Sequence, residues 1–242
     1  MKLYRLNQAE VVELAERNVI ALLPIGATEV HGNHLPVGTD ILLAEAMCDK
    51  IEEALGTERV VILPTINYGQ VWSLGLVPGS VDIPDSILSA YLVQIAKAVA
   101  QIGIRKLAVI NSHVGNETAI KKASRSVYDD GIDVQIYSLT YPGMNQAVSE
   151  VCTARLPHHG FFHACEIETS LMLYLAPEYV DMSKAICQYP EFPVDYDYTS
   201  RRWSEFMDTA VLGDATQATA SKGKEIVDVV IKNTMQILQG AE

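Results

Sequence analysis

Several features are missing from this chain, and each absence excludes a class of protein. No uncharged stretch approaches the ~18 residues that a membrane span needs. The first twenty residues, MKLYRLNQAEVVELAERNVI, lack the long apolar core of a signal peptide. Basic residues are the minority, 18 against 30 acidic for a net charge of −12, and no basic run resembles a nucleic-acid footprint. The four cysteines, Cys48, Cys152, Cys165 and Cys187, form no C-x-x-C pair and read as reduced, mostly buried thiols. There is no internal repeat, no low-complexity segment and no clear domain boundary. Together these features lead us to expect a cytoplasmic protein with neither nucleic acid nor membrane as partner; its length fits one sizeable domain or two small ones, and we read it as one over residues 1–242. With 49% apolar and 20% charged residues, such a domain can bury a sizeable core.

What is present is an alternation of strand and helix patterns. After a short amphipathic helix carrying Val11, Val12, Leu14 and Ala15, "VIALLPI" (Val19–Ile25) is a continuous apolar run ending at Gly26. Such a run suits a strand buried on both faces. A helical pattern follows from Asp40 to Gly56, then strands at Arg59–Pro64, Lys106–Ser112 and Asp133–Leu139. Helices are expected over residues 85–103 and from Glu117 onward, and a last one runs roughly from Gln217 to Gln239. The alternation predicts an α/β fold, three-layer α/β/α with a mostly parallel central sheet. Ligands of such sheets collect beyond the C-terminal strand ends. Beyond residue 140 the pattern weakens. "HACEIETSLMLYLAP" reads as a helix, and residues 188–206 as an aromatic insertion.

The metal-capable side chains sit at those strand ends. "TEVHGNHLPVGTD" (Thr28–Asp40) follows the first strand. Glu29 and His31 are two apart, so an extended segment points both to one face. Asp40 returns nine residues later, after a Pro and a Gly that can fold the loop back. Carboxylate, imidazole and carboxylate suit Zn²⁺, Mn²⁺ or Fe²⁺, and a shared carboxylate could hold two ions. The same residues could equally form a polar turn. His113 in "NSHVGNE" follows the third strand, where a capping or hydrogen-bonded role is the alternative, while Gly115 and Asn116 can build the turn. In "HACEIETS" the i, i+3 spacing would put His163 and Glu166 on one helical face. A solvated first turn, with acids favoured by the helix dipole, explains the same residues. His158 and His159 are read as loop residues. Arg201, Arg202 and Trp203 are candidates for substrate contact, with a surface or subunit-interface position favoured.

Taken together, "LLPIGATEVHGNHLPVGTD", "VPGS", "NSHVGNE", "HACEIETS" and "GDATQATASKGKEI" resemble, in order and over nearly the whole chain, the motifs of the creatininase family. The resemblance implies an α/β metal hydrolase that often assembles as a hexamer, so a homo-oligomer is expected. It implies two divalent ions (Zn, Mn or Fe) held by Glu29, His31, Asp40 and His113, with Asp40 bridging. In creatininase another Glu lies two residues after the ligand His, where this chain has Gly115. The resemblance then passes that role to Glu166 and makes His163 the proton carrier; Glu168, two residues on and roughly 200° around the helix from Glu166, is expected to point away from the metals. Val30, Asn33, Val77 and Gly115 depart from the family pattern, and they count against creatinine as substrate. The expected reaction is attack of metal-activated water on the carbonyl of a small cyclic amide or formamide. A carbon–carbon hydrolase acting on a keto-cyclitol is the alternative, and a non-catalytic metal-binding assembly protein the second.

Overall fold

A computed structural model describes residues 1–158 and 161–240. His159 therefore lies outside the described residues. The central sheet has four parallel strands: β1 (Ile20–Ile25), β2 (Val60–Ile62), β3 (Lys106–Asn111) and β4 (Gln135–Leu139), in the order β2–β1–β3–β4. The period-2 alternation of a strand sorts its side chains onto two faces. Leu22, Ile62, Ala108 and Ile110 join one core, with α2 (Thr39–Leu55), α5 (Met144–Val151), α6 (Glu166–Leu175) and α7 (Ala220–Gln239). Leu23, Val61, Leu107 and Val109 join the other, with α1 (Gln8–Glu16), α3 (Asp85–Ile102) and α4 (Glu117–Asp129). Both faces of β1 are thus covered, which is why "IALLPI" is apolar at every position. The expected three-layer architecture is present.

Strand order decides where a site can form. β2 and β3 lie on opposite sides of β1, so the chain reverses its winding there and a crevice opens beyond the ends of β1 and β3. Gly26, directly after β1, lets α2 start against the strand end. A Cβ on it would lie 2.6 Å from the backbone of Asp40 and Ile41, so any side chain would push Asp40 away. Asn116 ties the crevice shut from behind. Its amide donates to the Gly26 carbonyl at 3.0 Å and accepts from the Gln70 N–H at 2.9 Å.

The C-terminal half differs more from the sequence-based expectation. α5 was not foreseen. α6 starts only at Glu166, so His163 precedes the helix and sits in an antiparallel bridge with Leu212. The aromatic insertion leaves and returns through a two-strand ribbon, β5 (Cys187–Gln188) with β6 (Gly213–Asp214). A small third core of Ala27, Val71, Leu74, Met207, Ala210 and Leu212 packs its return leg over the loop after β1.

Candidate metal centre

Four segments converge on the crevice. The loop after β1 brings Glu29 and His31, the first turn of α2 brings Asp40, the end of β3 brings His113, and the first turn of α6 brings Glu168. All but His113 are almost fully buried. His113 Nδ1 lies 3.0 Å from Asp40 Oδ2 and 3.5 Å from Glu29 Oε2. His31 Nε2 lies 3.4 Å from Asp40 Oδ1 and 4.0 Å from Glu168 Oε2. Two trios result, Glu29–Asp40–His113 and His31–Asp40–Glu168, each with its donor atoms within 4.8 Å of one another. They share Asp40, one carboxylate oxygen turned to each histidine.

Backbone contacts fix the tautomers. His31 Nδ1 faces the Glu29 carbonyl at 2.9 Å and His113 Nε2 the Gln70 carbonyl at 2.7 Å. Each carbonyl takes the ring proton, leaving the other nitrogen free to bind a cation. The buried atoms aimed into the cluster, Glu29 Oε2, His31 Nε2 and both Asp40 oxygens, have no hydrogen-bond partner. Each such orphan costs about 1–3 kcal/mol, so natural proteins rarely gather four in one place without a ligand to satisfy them. The donor set of carboxylates and imidazoles fits two divalent ions of the Zn, Mn or Fe type.

The electrostatics agree. Burial opposes a charge on His31, yet Asp40, backed by Glu168 and Glu29, outweighs it and pushes the ring up to about 10. His113 is likewise buried but raised to about 9 by Glu29 and Asp40. Burial raises Glu168 to about 7 against the pull of His31, and raises Glu29 as well. Asp40 is held well below the usual carboxylate range by His31 and His113, despite its burial. The site therefore demands positive charge at its centre and, without metal, takes it as protons on the two imidazoles.

His163 stands apart from both trios, on the cavity side. Its Nε2 donates to the Val30 carbonyl at 2.8 Å, while Nδ1 lies 3.7 Å from Glu29 Oε2. Burial, reinforced by His31, drives its pKa well below the normal imidazole value, so the ring is neutral with a free lone pair. Nδ1 also groups with Glu29 and His31 at ligand distance, but each of the two trios that share Asp40 already offers three donors without it.

The sequence-based assignment of Glu166 requires correction. Its carboxylate turns away from the cluster, accepting from the backbone N–H groups of Thr153 at 3.1 Å and Ala154 at 2.8 Å, and pairing with Lys222 of α7. These donors hold its pKa down against burial, and the group is already satisfied. The i, i+3 argument failed because His163 is not on the helix. Glu168, at the third helical position, reaches back to the Ala164 N–H at 2.5 Å, and this swings its carboxylate beneath His31. The bond passes the N-cap residue, Cys165, which makes no side-chain cap of its own, so the sequence carried no capping-box signal for it.

The creatinine amidohydrolase (creatininase) model matches residues 4–238. The chain belongs to the creatininase family. It is 27% identical over 240 residues to a creatinine amidohydrolase of Pseudomonas putida, covering 90% of this chain and 88% of that protein. It is 28% identical to a mycofactocin precursor peptide peptidase of Mycobacterium tuberculosis, over 96% and 89% of the two chains. A solved structure described as creatininase Mn superposes with a TM-score of 0.82 at 25% identity, covering 99% of this chain and 98% of that one. Family membership makes this chain an amidohydrolase-type enzyme on a creatininase fold.

Gly115 is more than a missing carboxylate in this family member. A Cβ there would lie 2.5 Å from His113 Nε2 and closer still to the Gln70 carbonyl. The His113–Gln70 hydrogen bond fills the space in which a side chain at 115 would start, and the carboxylate that faces the cluster from α6 is that of Glu168. Above the cluster a cavity of about 290 Å³ opens, with Glu29, His113, His163 and Glu168 at its floor. Trp203, from the insertion, lines it. Trp72 also lines it; the sequence offered no sign of this.

Proposed function

We propose that this chain is a divalent-metal-dependent hydrolase that cleaves the C–N bond of a small amide or formamide. The observation that carries the reading is the pair of ligand trios sharing Asp40, with a neutral His163 between them and the cavity. Glu29, Asp40 and His113 would hold one ion, and His31, Asp40 and Glu168 the other. Ions bound there would supply Lewis acidity towards a carbonyl and would acidify water towards a pKa of ~7. Asp40 fixes the two sites relative to each other, and Ala164 fixes Glu168. The Val30 carbonyl holds His163 with Nδ1 towards the reacting atoms. From there His163 takes a proton as water attacks and delivers it to the departing nitrogen. The aromatic walls above exclude bulk water from the exchange.

A carbon–carbon hydrolase of a keto-cyclitol would need the same floor, but a ring of hydroxyls needs polar walls. Beyond the floor, the lining offers few polar side chains, Gln70, Ser73 and the Tyr196 hydroxyl among them, which favours the amide. A non-catalytic assembly role would leave the orientation of His163 unexplained. Self-association is supported separately by an exposed apolar strip of Tyr68, Ile87 and Tyr91 lining one surface groove, and sedimentation would measure it. No helix among the described residues is long and apolar enough to cross a membrane. The test of the hydrolase reading is reconstitution with zinc or manganese, followed by elemental analysis and a screen of cyclic amides, formamides and keto-cyclitols. Two equivalents of metal and release of an amine from a formamide or lactam are expected. Metal content near zero, or turnover confined to keto-cyclitols, would contradict it.

A further inference from the structure

His34 lies in the chain between His31 and Asp40, yet it belongs to neither ligand trio. It is 1% exposed, as deeply buried as the ligands themselves. Its Nε2 meets the Thr169 hydroxyl at 2.9 Å, while Nδ1 is buried with no hydrogen-bond partner. Burial, with His31 close by, lowers the ring's pKa to about 4, so the bond to Thr169 is one between neutral groups. The desolvation of an orphaned nitrogen offsets much of what such a bond contributes. A leucine of similar volume would avoid that cost. Stability alone does not account for a histidine here.

What the ring joins is more informative. Thr169 directly follows Glu168 in α6 and is fully buried. The His34–Thr169 bond therefore ties α6 to the loop after β1 that carries His31. The second trio spans those same two elements, with His31 Nε2 and Glu168 Oε2 4.0 Å apart. The first trio, Glu29–Asp40–His113, takes nothing from α6. Gly32, at φ +65°, makes the turn that brings the ring inward, and a Cβ there would lie 3.1 Å from His34 Nδ1. The His34 carbonyl accepts from the Asp181 N–H at 2.9 Å, which ties the loop to the segment after α6 as well. From its other neighbour the helix is clamped by α7. Ser170 Oγ accepts from the Thr219 N–H at 3.1 Å, and the Ser170 carbonyl leaves no room for a Cβ on Gly223. His163 makes a further tie, to the Val30 carbonyl, but from the segment before the helix.

We propose that His34 is a positioning residue for the second ion: through Thr169 it sets the separation between Glu168 and His31, and the first ion does not depend on it. The proposal rests on the two-ion reading above.

Manganese titration followed by electron paramagnetic resonance tests it, because ions that share a carboxylate couple magnetically and an isolated ion keeps its own hyperfine pattern. The wild-type protein should show the coupled spectrum near two equivalents. In His34→Leu the second affinity should fall about 10–100-fold, leaving the isolated pattern where the wild type is coupled, with the first affinity unchanged. Thr169→Val, which removes the hydroxyl at nearly constant shape, should do the same, and it carries the test should His34→Leu fail to fold. The double variant should be no worse than either single one, since both remove one interaction. His34→Gln, which keeps a polar atom near the place of Nε2, should recover part of the second affinity. The melting temperature of the double variant should match or exceed that of the wild type, whereas a merely structural role would lower it and weaken both ions together. An unchanged second affinity in the single variants, or parallel loss of both ions, would overturn the inference. Either result beside a wild-type protein that binds two ions and turns over an amide would leave the hydrolase reading standing. Wild-type protein that takes no manganese would remove both.

Discussion

The two halves of the metal centre are built differently. Glu29, His31, Asp40 and His113 hang from the ends of β1 and β3 and the start of α2, so the sheet itself aims them. Strand ends at a winding reversal form a crevice whatever the details of the loops, and Gly26 and Asn116 leave the backbone little freedom there. Glu166, Glu168 and His163 come from the other half, where orientation depends on the residue at which α6 begins. That point is set by partners distant in sequence. Leu212 holds His163 in a bridge, and Lys222, 56 residues on, draws Glu166 away from the cluster. The placement of a strand-end side chain is therefore readable from local sequence, whereas that of a helix-start side chain is decided by tertiary contacts.

Replacing each glutamate in turn tests that contrast most severely. Glu168→Gln removes a ligand from the second ion and should lower activity by at least ~10²-fold, with metal content falling from about two towards one equivalent. Glu166→Gln should keep both ions and most activity, but should lower stability by about 1–3 kcal/mol, because Lys222 loses its charged partner and keeps only the Gln217 carbonyl and the Thr153 hydroxyl. Elemental analysis beside calorimetry separates the two, and equal metal loss in both variants would erase the distinction. His163→Ala should reduce turnover ~10²–10⁴-fold with metal retained. Loss of metal in step with activity would instead make His163 a ligand.

Gly115→Ala sharpens the strand-end side of the comparison. The added methyl collides with the Gln70 carbonyl and the His113 ring, so His113 must turn or the 65–84 segment must shift. Affinity for the ion at Glu29–Asp40–His113 should fall about 10–100-fold, read by competition with a chelating dye. An unchanged affinity would mean that the His113–Gln70 bond does not orient the ligand.

The gentlest perturbation is one of pH, which alters no residue. In the metal-free protein His31 and His113 hold their protons up to about 10 and about 9. Each ion must displace one such proton, so apparent affinity should rise with pH by about tenfold per unit between pH 7 and 9. Below about 7 Glu168 is also protonated and must release its proton, so the dependence should steepen as pH falls. Calorimetry in buffers of different ionisation enthalpy counts the protons released. A flat profile would show that the imidazoles are neutral before metal arrives.

Much of the fold could be read from the sequence because burial on both faces leaves continuous apolar runs such as Ile20–Ile25 that turn residues punctuate clearly. The elements that escaped, α5 and the exact start of α6, lack that signature. α5 is short, and α6 opens with acids that serve two unrelated partners. The metal-capable cluster was legible where spacing alone brings residues to one strand end. The cavity walls were not. Trp72 and Trp203 are 131 positions apart, and nothing in the aromatic stretch at 188–206 says which of its rings will turn inward.

The central claim is that two ions share Asp40 and that Glu168, not Glu166, completes the second. A crystal of the manganese-reconstituted protein, with an anomalous difference map recorded at the metal edge, tests it directly. Two peaks about 3.5–4 Å apart should flank Asp40, one beside Glu29 and His113, the other beside His31 and Glu168, with Glu166 still on Lys222. A single peak, a peak beside Glu166, or a second ion held without Glu168 would contradict it.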